Sequence, residues 1–305
     1  MLALLMTGTL LVACKKEEET APETEATESV EGQSTLSQVT VEGLANYVLV
    51  YSADATDEVA SAAGTIVAAF ATKFDVTLKT RTDDYIDRTG ELVIEEYEIL
   101  LGDTNREESK EFLSGLKYKD KGYALVGKKI CIGAHDFYTT ASIASEFASF
   151  IRKSDKKADV FFDESMNTVK PAEYNYGAMT VDGANISEYR IVYPDGSGLE
   201  QVMATKVRRA IAESCGVLVE IVSDTAEAAD REILIGKTNR EIGLSVLDGA
   251  QYDKGFVGMY GNKILICGGG SVGISNATNA FIGLFAGGEK ADTFEIDVAK
   301  LGQQS

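Results

Sequence analysis

The sequence predicts an α/β (α+β) protein of two tandem repeats, each a mixed β-sheet packed with helices. Three observations carry this reading. Six short motifs recur in the same order along the chain. Between them, β-branched runs alternate with stretches whose apolar residues have helical spacing. Each copy also holds a hairpin signal, which sets an antiparallel pair among strands joined through helices.

The recurrences are read directly. Thr40-Val-Glu-Gly43 returns as Thr180-Val-Asp-Gly183, and Tyr47-Val-Leu-Val-Tyr51 as Tyr189-Arg-Ile-Val-Tyr193. Ile99-Leu-Leu-Gly102-Asp-Thr-Asn-Arg-Glu107 returns as Ile233-Leu-Ile-Gly236-Lys-Thr-Asn-Arg-Glu241. Lys119-Asp-Lys-Gly-Tyr123 matches Tyr252-Asp-Lys-Gly-Phe256, Gly127-Lys-Lys-Ile130 matches Gly261-Asn-Lys-Ile264, and Lys157-Ala-Asp159 matches Lys290-Ala-Asp292. The offset falls from 142 at Tyr47 to 134 at Gly102, which places an insertion in the first copy around Arg81 to Val93.

The N-terminus comes first in the element order. Leu11-Val-Ala-Cys14 closes a short apolar run and reads as a lipobox, with Cys14 the lipidation site of a bacterial lipoprotein. The run is shorter than the roughly 20 residues that cross a bilayer, and it fits a secretory leader. It lacks the usual basic start, as a start codon placed too late would explain; the alternative is an ordinary helix with a chance cysteine. The segment 15–38 is rich in Glu, Thr, Ser and Ala without an aromatic residue, the composition of a disordered acidic spacer. The predicted boundaries are thus 1–14 leader, 15–38 spacer, 39–165 first repeat, 166–177 connector and 178–305 second repeat. The location implied is extracytoplasmic, with the membrane reached through the lipid on Cys14 only.

Within the first copy a β-branched strand at 47–51 precedes a helix near 58–73, matched in the second copy by a helix near 200–214. Strands follow at 76–79 and 97–101, then a short helix after Thr104. A hairpin at 123–133 turns at Gly127-Lys128, as its counterpart turns at Gly261-Asn262. A helix at about 139–152 and a final edge strand at 160–162 complete the unit.

Composition narrows the function. A net charge of −19 argues against nucleic acid and against adsorption to anionic lipid, and suits a soluble exported surface. Beyond Cys14 there remain Cys131, Cys215 and Cys267, two of them in apolar strand-like runs, so buried free thiols are expected. With His135 as the one histidine and no C-x-x-C pair, no zinc site is expected, nor any other metal or cofactor.

The order Tyr-x-Ile-Val-Tyr, helix, Ile-Leu-Ile-Gly-x-Thr-Asn-Arg-Glu, Gly-x-Lys-Ile-x-Ile-x-Gly-Gly, helix resembles the non-catalytic α/β domain that precedes the barrel in β-N-acetylhexosaminidases and α-glucuronidases. The resemblance covers both copies. It implies a fold and a carbohydrate context but no catalytic residue, because that chemistry belongs to a barrel this chain does not show.

Several residues are candidates for a site. Thr104 with Glu107, and Thr238 with Glu241, have the spacing of a capping box. That leaves Asn105, Arg106, Asn239 and Arg240, whose arginines either pair with a carboxylate in their own copy, bind an anionic ligand or join the copies. Gly268-Gly-Gly270-Ser-Val-Gly273 matches a dinucleotide loop only in outline, and a tight strand-to-helix turn accounts for it. Asp83, Asp84 and Asp87 read as a solvated hairpin tip, since no calcium-loop spacing is present. Glu95, Glu96 and Glu98 read as alternation along a half-exposed strand rather than as paired acids. The function expected is non-catalytic: a cell-surface lipoprotein that binds a glycan or docks a cell-surface protein. A glycan hydrolase with a carboxylate pair between the copies, and a spacer without ligand, are the alternatives.

Overall fold

A computed structural model describes residues 37–240 and 251–301; Cys14, nearly all of the spacer, and Glu241 lie outside them. The chain is mixed α/β. In the first half the order is β1 (Gln38–Thr40), β2 (Val48–Tyr51), α1 (Asp57–Phe74), β3 (Lys79–Thr82), β4 (Glu98–Leu101), α2 (Glu107–Ser114), β5 (Lys121–Val126), β6 (Lys129–Gly133), α3 (Phe137–Lys153), β7 (Val160–Asp163) and β8 (Thr168–Lys170). The second half follows with β9 (Tyr176–Val181), β10 (Ala184–Asn185), β11 (Arg190–Tyr193), α4 (Gly198–Cys215), β12 (Glu220–Ser223), β13 (Glu232–Ile235), β14 (Gly255–Tyr260), β15 (Lys263–Gly268), α5 (Ser271–Gly283) and β16 (Ala291–Glu295).

Two large sheets form, and both belong to one compact unit. The first has strand order β3-β2-β4-β6-β5-β8 and the second β12-β11-β13-β15-β14. In each, the first three strands and the fourth are parallel, and a hairpin adds the antiparallel fifth. The central strands read as unbroken apolar runs because parallel strands are covered on both faces. In the first sheet Leu49, Ile99, Leu101, Ile130 and Ile132 face α1 and α3, which supply Ile66, Phe70, Ile143 and Phe147. Val48, Val50, Leu100 and Cys131 face the other way, toward Phe112 of α2. The second sheet repeats this division, with Val192, Leu234, Leu265 and Cys267 on the thinner face. Cys131, Cys215 and Cys267 are buried free thiols. Burial pushes Cys131 up to about 12 and Cys267 to about 11, which keeps both thiols protonated and inert.

Gly102 and Gly236 turn the chain out of β4 and β13 with φ of 78° and 75°, values that a side chain would strain. Their amides donate to the carbonyls of Ile132 and Ile266 at 2.8 and 2.7 Å.

Three elements differ from expectation. The strand placed at 76–79 lies at Lys79–Thr82, because Leu78 is buried in the helix-facing core and the register pairs Val48–Tyr51 with Lys79–Thr82. The segment 160–163 does not edge the main sheet. Phe161 and Phe162 are both buried among Phe70, Phe74, Phe147 and Phe150, so β7 lies under the helices and pairs with β1 in a sheet of its own. The edge is taken instead by β8, from the stretch expected to be a connector. The flanking pairs also differ between halves: β1 and β7 run antiparallel, whereas β9 and β16 run parallel.

Candidate functional site

The two Asn-Arg pairs are where the sequence points first, and both are engaged internally. Glu98 opens β4 on the thin face of the sheet and is fully buried. Arg106 follows the turn at the other end of β4, and its side chain runs back to meet it. Its Nε donates to Glu98 at 3.1 Å, and its Nη2 donates to Glu98 at 3.1 Å and to the Val93 carbonyl at 2.9 Å. Its Nη1 donates to the Asp83 carbonyl at 3.0 Å and to Asn105 Oδ1. A guanidinium has five N–H donors, so none is left for a ligand. Lys129 from β6 completes the neutralisation at 2.9 Å.

The second half repeats the arrangement. Arg240 donates from Nε to Glu232 at 3.2 Å, from Nη1 to the Asp224 carbonyl and Asn239 Oδ1, and from Nη2 to Ala226 and Glu232. Lys263 and Arg190 join Glu232 at 2.6 and 2.8 Å. Burial alone would raise both carboxyls. In Glu98 the bonds from Arg106 and Lys129 outweigh it, and in Glu232 the Ala229 amide, Lys263, Arg240 and Arg190 hold the group at about 2.

Asp83 and Asp224 complete the two clamps. Asp83 accepts from the amides of Ala53 and Asn105 at 2.9 and 2.8 Å, and Asp224 from those of Asp195 and Asn239 at 3.0 and 2.7 Å. Asn105 and Asn239 donate back to the carbonyls of the same aspartates. Two expectations are corrected here. Asp83 is buried at the end of β3 rather than on a solvated tip, and Glu98 is a buried ion partner rather than one of an alternating exposed row.

The capping box at Thr104 and Glu107 does not form. The helix starts at Glu107 with Arg106 as its cap residue, and no side chain caps it. The Thr104 hydroxyl instead accepts from the Arg106 amide at 3.4 Å, two residues on, and the exposed Glu107 pairs with Lys110. Arg106 must leave the chain early to reach Glu98, so the helix begins three residues after Thr104. Thr238 is buried, while Glu241 and the segment after it lie outside the described residues. The loop from Gly268 is a close-packed turn: a side chain at Gly268 would meet the backbone of Gly273 and Ile274.

A second group of residues converges at the carboxyl edge of the first sheet, where the chain leaves β2 and β4 in opposite directions. Such switch points are where open α/β sheets bind ligands. The crevice is lined by Ser52, Asp103, His135, Asp136 and Phe137 and has about 20 Å³ of free volume, room for one water. The crevice itself admits nothing larger. Beside it Phe137 and Tyr138 are exposed, Tyr138 by 77%.

The second half borders this edge. Tyr118 donates its amide to the Gly216 carbonyl at 3.0 Å, and Lys119 faces Glu213 at 4.0 Å. Asp120 staples the junction through Lys117, Ala172 and Tyr174. His135 Nε2 lies 3.0 Å from the Leu116 carbonyl, which can only accept, so this nitrogen carries the proton. Burial pushes the Tyr118 phenol up, and the charges of Asp136, Arg209, Glu213 and Arg208 all bear on it.

Two polar atoms in this cluster have no partner. Asp136 caps α3 with Oδ1, accepting from the Thr139 amide at 2.9 Å, but its Oδ2 is buried and unpaired. Arg208 Nε, across the junction on α4, is buried and unpaired as well. Arg209 and Glu213 also line a groove of about 440 Å³ with Asn175, Lys206 and Ile282, within the size range of small-molecule sites.

Asp136, Arg208 and Tyr118 escaped the sequence reading. The usable signal was the point where the copies part: Gly133-Ala-His-Asp-Phe-Tyr138 against Gly268-Gly-Gly-Ser271. In the second half the matching edge is filled, with Glu200 packed against Gly236 and Tyr252 against Gly270. Among the described residues no cluster of His, Cys, Asp or Glu is placed to hold a metal ion. No helix among them is long and apolar enough to cross a membrane. Neither protein-family models nor curated proteins give a match to this chain.

Proposed function

We propose that this protein is a glycan-binding lipoprotein, anchored outside the cell membrane by Cys14, with its site at the junction of the two halves. The observation that carries the reading is the orphaned pair, Asp136 Oδ2 and Arg208 Nε, contributed from opposite sides of the junction. One atom accepts and the other donates. A sugar hydroxyl does both, so hydroxyls that enter as the junction opens can partner each atom. Phe137 and Tyr138 supply exposed rings for the apolar face of a pyranose. The groove beyond Arg209 extends the contact to further residues of an oligosaccharide.

The arginines of the Asn-Arg pairs take no part, since their donors are spent inside each half. Hydrolysis by acids at the junction is the second reading; of these Glu213 is already bridged to Arg209 and Lys119.

A glycan array with the full chain, followed by titration of the hits, tests the proposal. Hits whose affinity falls at least about tenfold in Arg208→Met, a loss of about 1.4 kcal/mol, support it. Hits unaffected by that change contradict it, and release of reducing ends from a hit favours the second reading.

A further inference from the structure

The first half carries an arch that the second lacks. Fifteen residues join β3 to β4, whereas eight join β12 to β13. The arch is rigidly held. Asp87 Oδ1 accepts from the Thr89 amide and hydroxyl at 2.7 and 2.6 Å and from the Glu91 amide at 3.2 Å, closing the tip. Its base is tied to the buried Arg106 through Asp83 and Val93, and Arg81 bridges to Glu95 while stacking on Tyr85. Ile86 and Leu92 face each other across an isolated bridge.

What this frame presents to solvent is apolar. Ile86, Leu92 and Ile94 are 56%, 46% and 58% exposed. Asp84, Asp87 and Glu91 flank them along the chain, all exposed, with Arg88 the one exposed base in the arch, while Glu96 is paired with Lys128.

We propose that the arch is a docking surface for another protein, one with an apolar centre rimmed by lysine or arginine. The choice of occupant follows from charge and area. A second copy would bring the same acidic ring and a net charge of −19 against itself, and like charges facing each other are repelled. Anionic lipid is repelled for the same reason. Three half-exposed aliphatic side chains fall short of the roughly 800 Å² per partner that a stable interface buries, so they form its centre and the acids its rim. A rim of this kind speeds encounter and selects by sign. The pre-set tip lowers the ordering cost of association.

The test titrates the full chain with two probes of equal charge, oligolysine and a peptide of alternating leucine and lysine. The alternating peptide is expected to bind at least about tenfold tighter than oligolysine. That advantage is expected to vanish in Ile86→Ser/Leu92→Ser/Ile94→Ser and to shrink in Ile94→Ser alone, which leaves the bridge intact. Asp84→Asn/Glu91→Gln should weaken both probes. Equal binding of the two probes, or an advantage that survives the serines, overturns the proposal. So does a dimer in sedimentation that the same serines abolish, because the occupant is then a second copy.

Discussion

The two halves share a frame and differ at an edge. Both place a buried glutamate at the start of the middle strand, hold it with an arginine from the far side of the next turn, and lock that turn with an aspartate and an asparagine. At the carboxyl edge they part. The first half has His135, Asp136 and Phe137 around a crevice with room for one water, beside the exposed Tyr138, and the second fills the same place with Glu200 and Tyr252 against glycines. The clamp residues that recur in both halves close their hydrogen bonds internally. At the junction the unpaired atoms, Asp136 Oδ2 and Arg208 Nε, sit where recurrence fails, although the recurring Tyr189 hydroxyl is buried and unpaired as well. Recurrence in this chain therefore marks architecture, and divergence marks the site.

The largest expected effect is on the frame itself. Glu98→Gln leaves Arg106 buried without a counter-charge and Lys129 with Glu108 alone, which should cost roughly 3–5 kcal/mol; Glu232→Gln should cost less, since its partners Arg190 and Lys263 are more exposed. Urea unfolding of both variants checks the order, and an equal or reversed order breaks the comparison. Acid sharpens it. The Glu232 carboxyl is lowered from its ordinary 4.5 to about 2 in the folded state. Its stabilisation is therefore complete above about pH 4.5 and fades as pH falls toward 2. Stability measured across that window should fall less steeply in Glu232→Gln than in the wild type.

A smaller loss is expected at the turn. Asp83→Ala strands the amides of Ala53 and Asn105, at roughly 1–3 kcal/mol, and Asp224→Ala should match it within error in thermal unfolding. At the bottom of the scale, Glu107→Ala should stay within about 0.5 kcal/mol, because Glu107 is exposed and caps nothing. A loss near 1 kcal/mol would restore the capping box.

These predictions also show where the sequence was legible. Helices and the hairpins that turn at Gly127 and Gly261 were readable because apolar spacing and positive φ are local properties. Glu98 was not, since Glu95, Glu96 and Glu98 look alike until Arg106 and Lys129 converge on the last of them from other elements. The place of β7 depends on two phenylalanines packed under helices distant in sequence, and the opposite directions of the two flanking pairs have no local signal at all. Asp136 was not read from the sequence at all; it caps α3 with one oxygen, and its second gains meaning only beside α4.

The most direct test compares the affinity of one array-selected oligosaccharide for the wild type, Asp136→Asn and Glu98→Gln, at a temperature where all three are folded. Asparagine still caps α3 through its oxygen but turns the orphaned acceptor into a donor. The account predicts at least about a tenfold loss of affinity in Asp136→Asn, and in Glu98→Gln a loss of stability with affinity unchanged. Unchanged binding in Asp136→Asn together with lost binding in Glu98→Gln would contradict it, and would place the ligand on the frame that the two halves share.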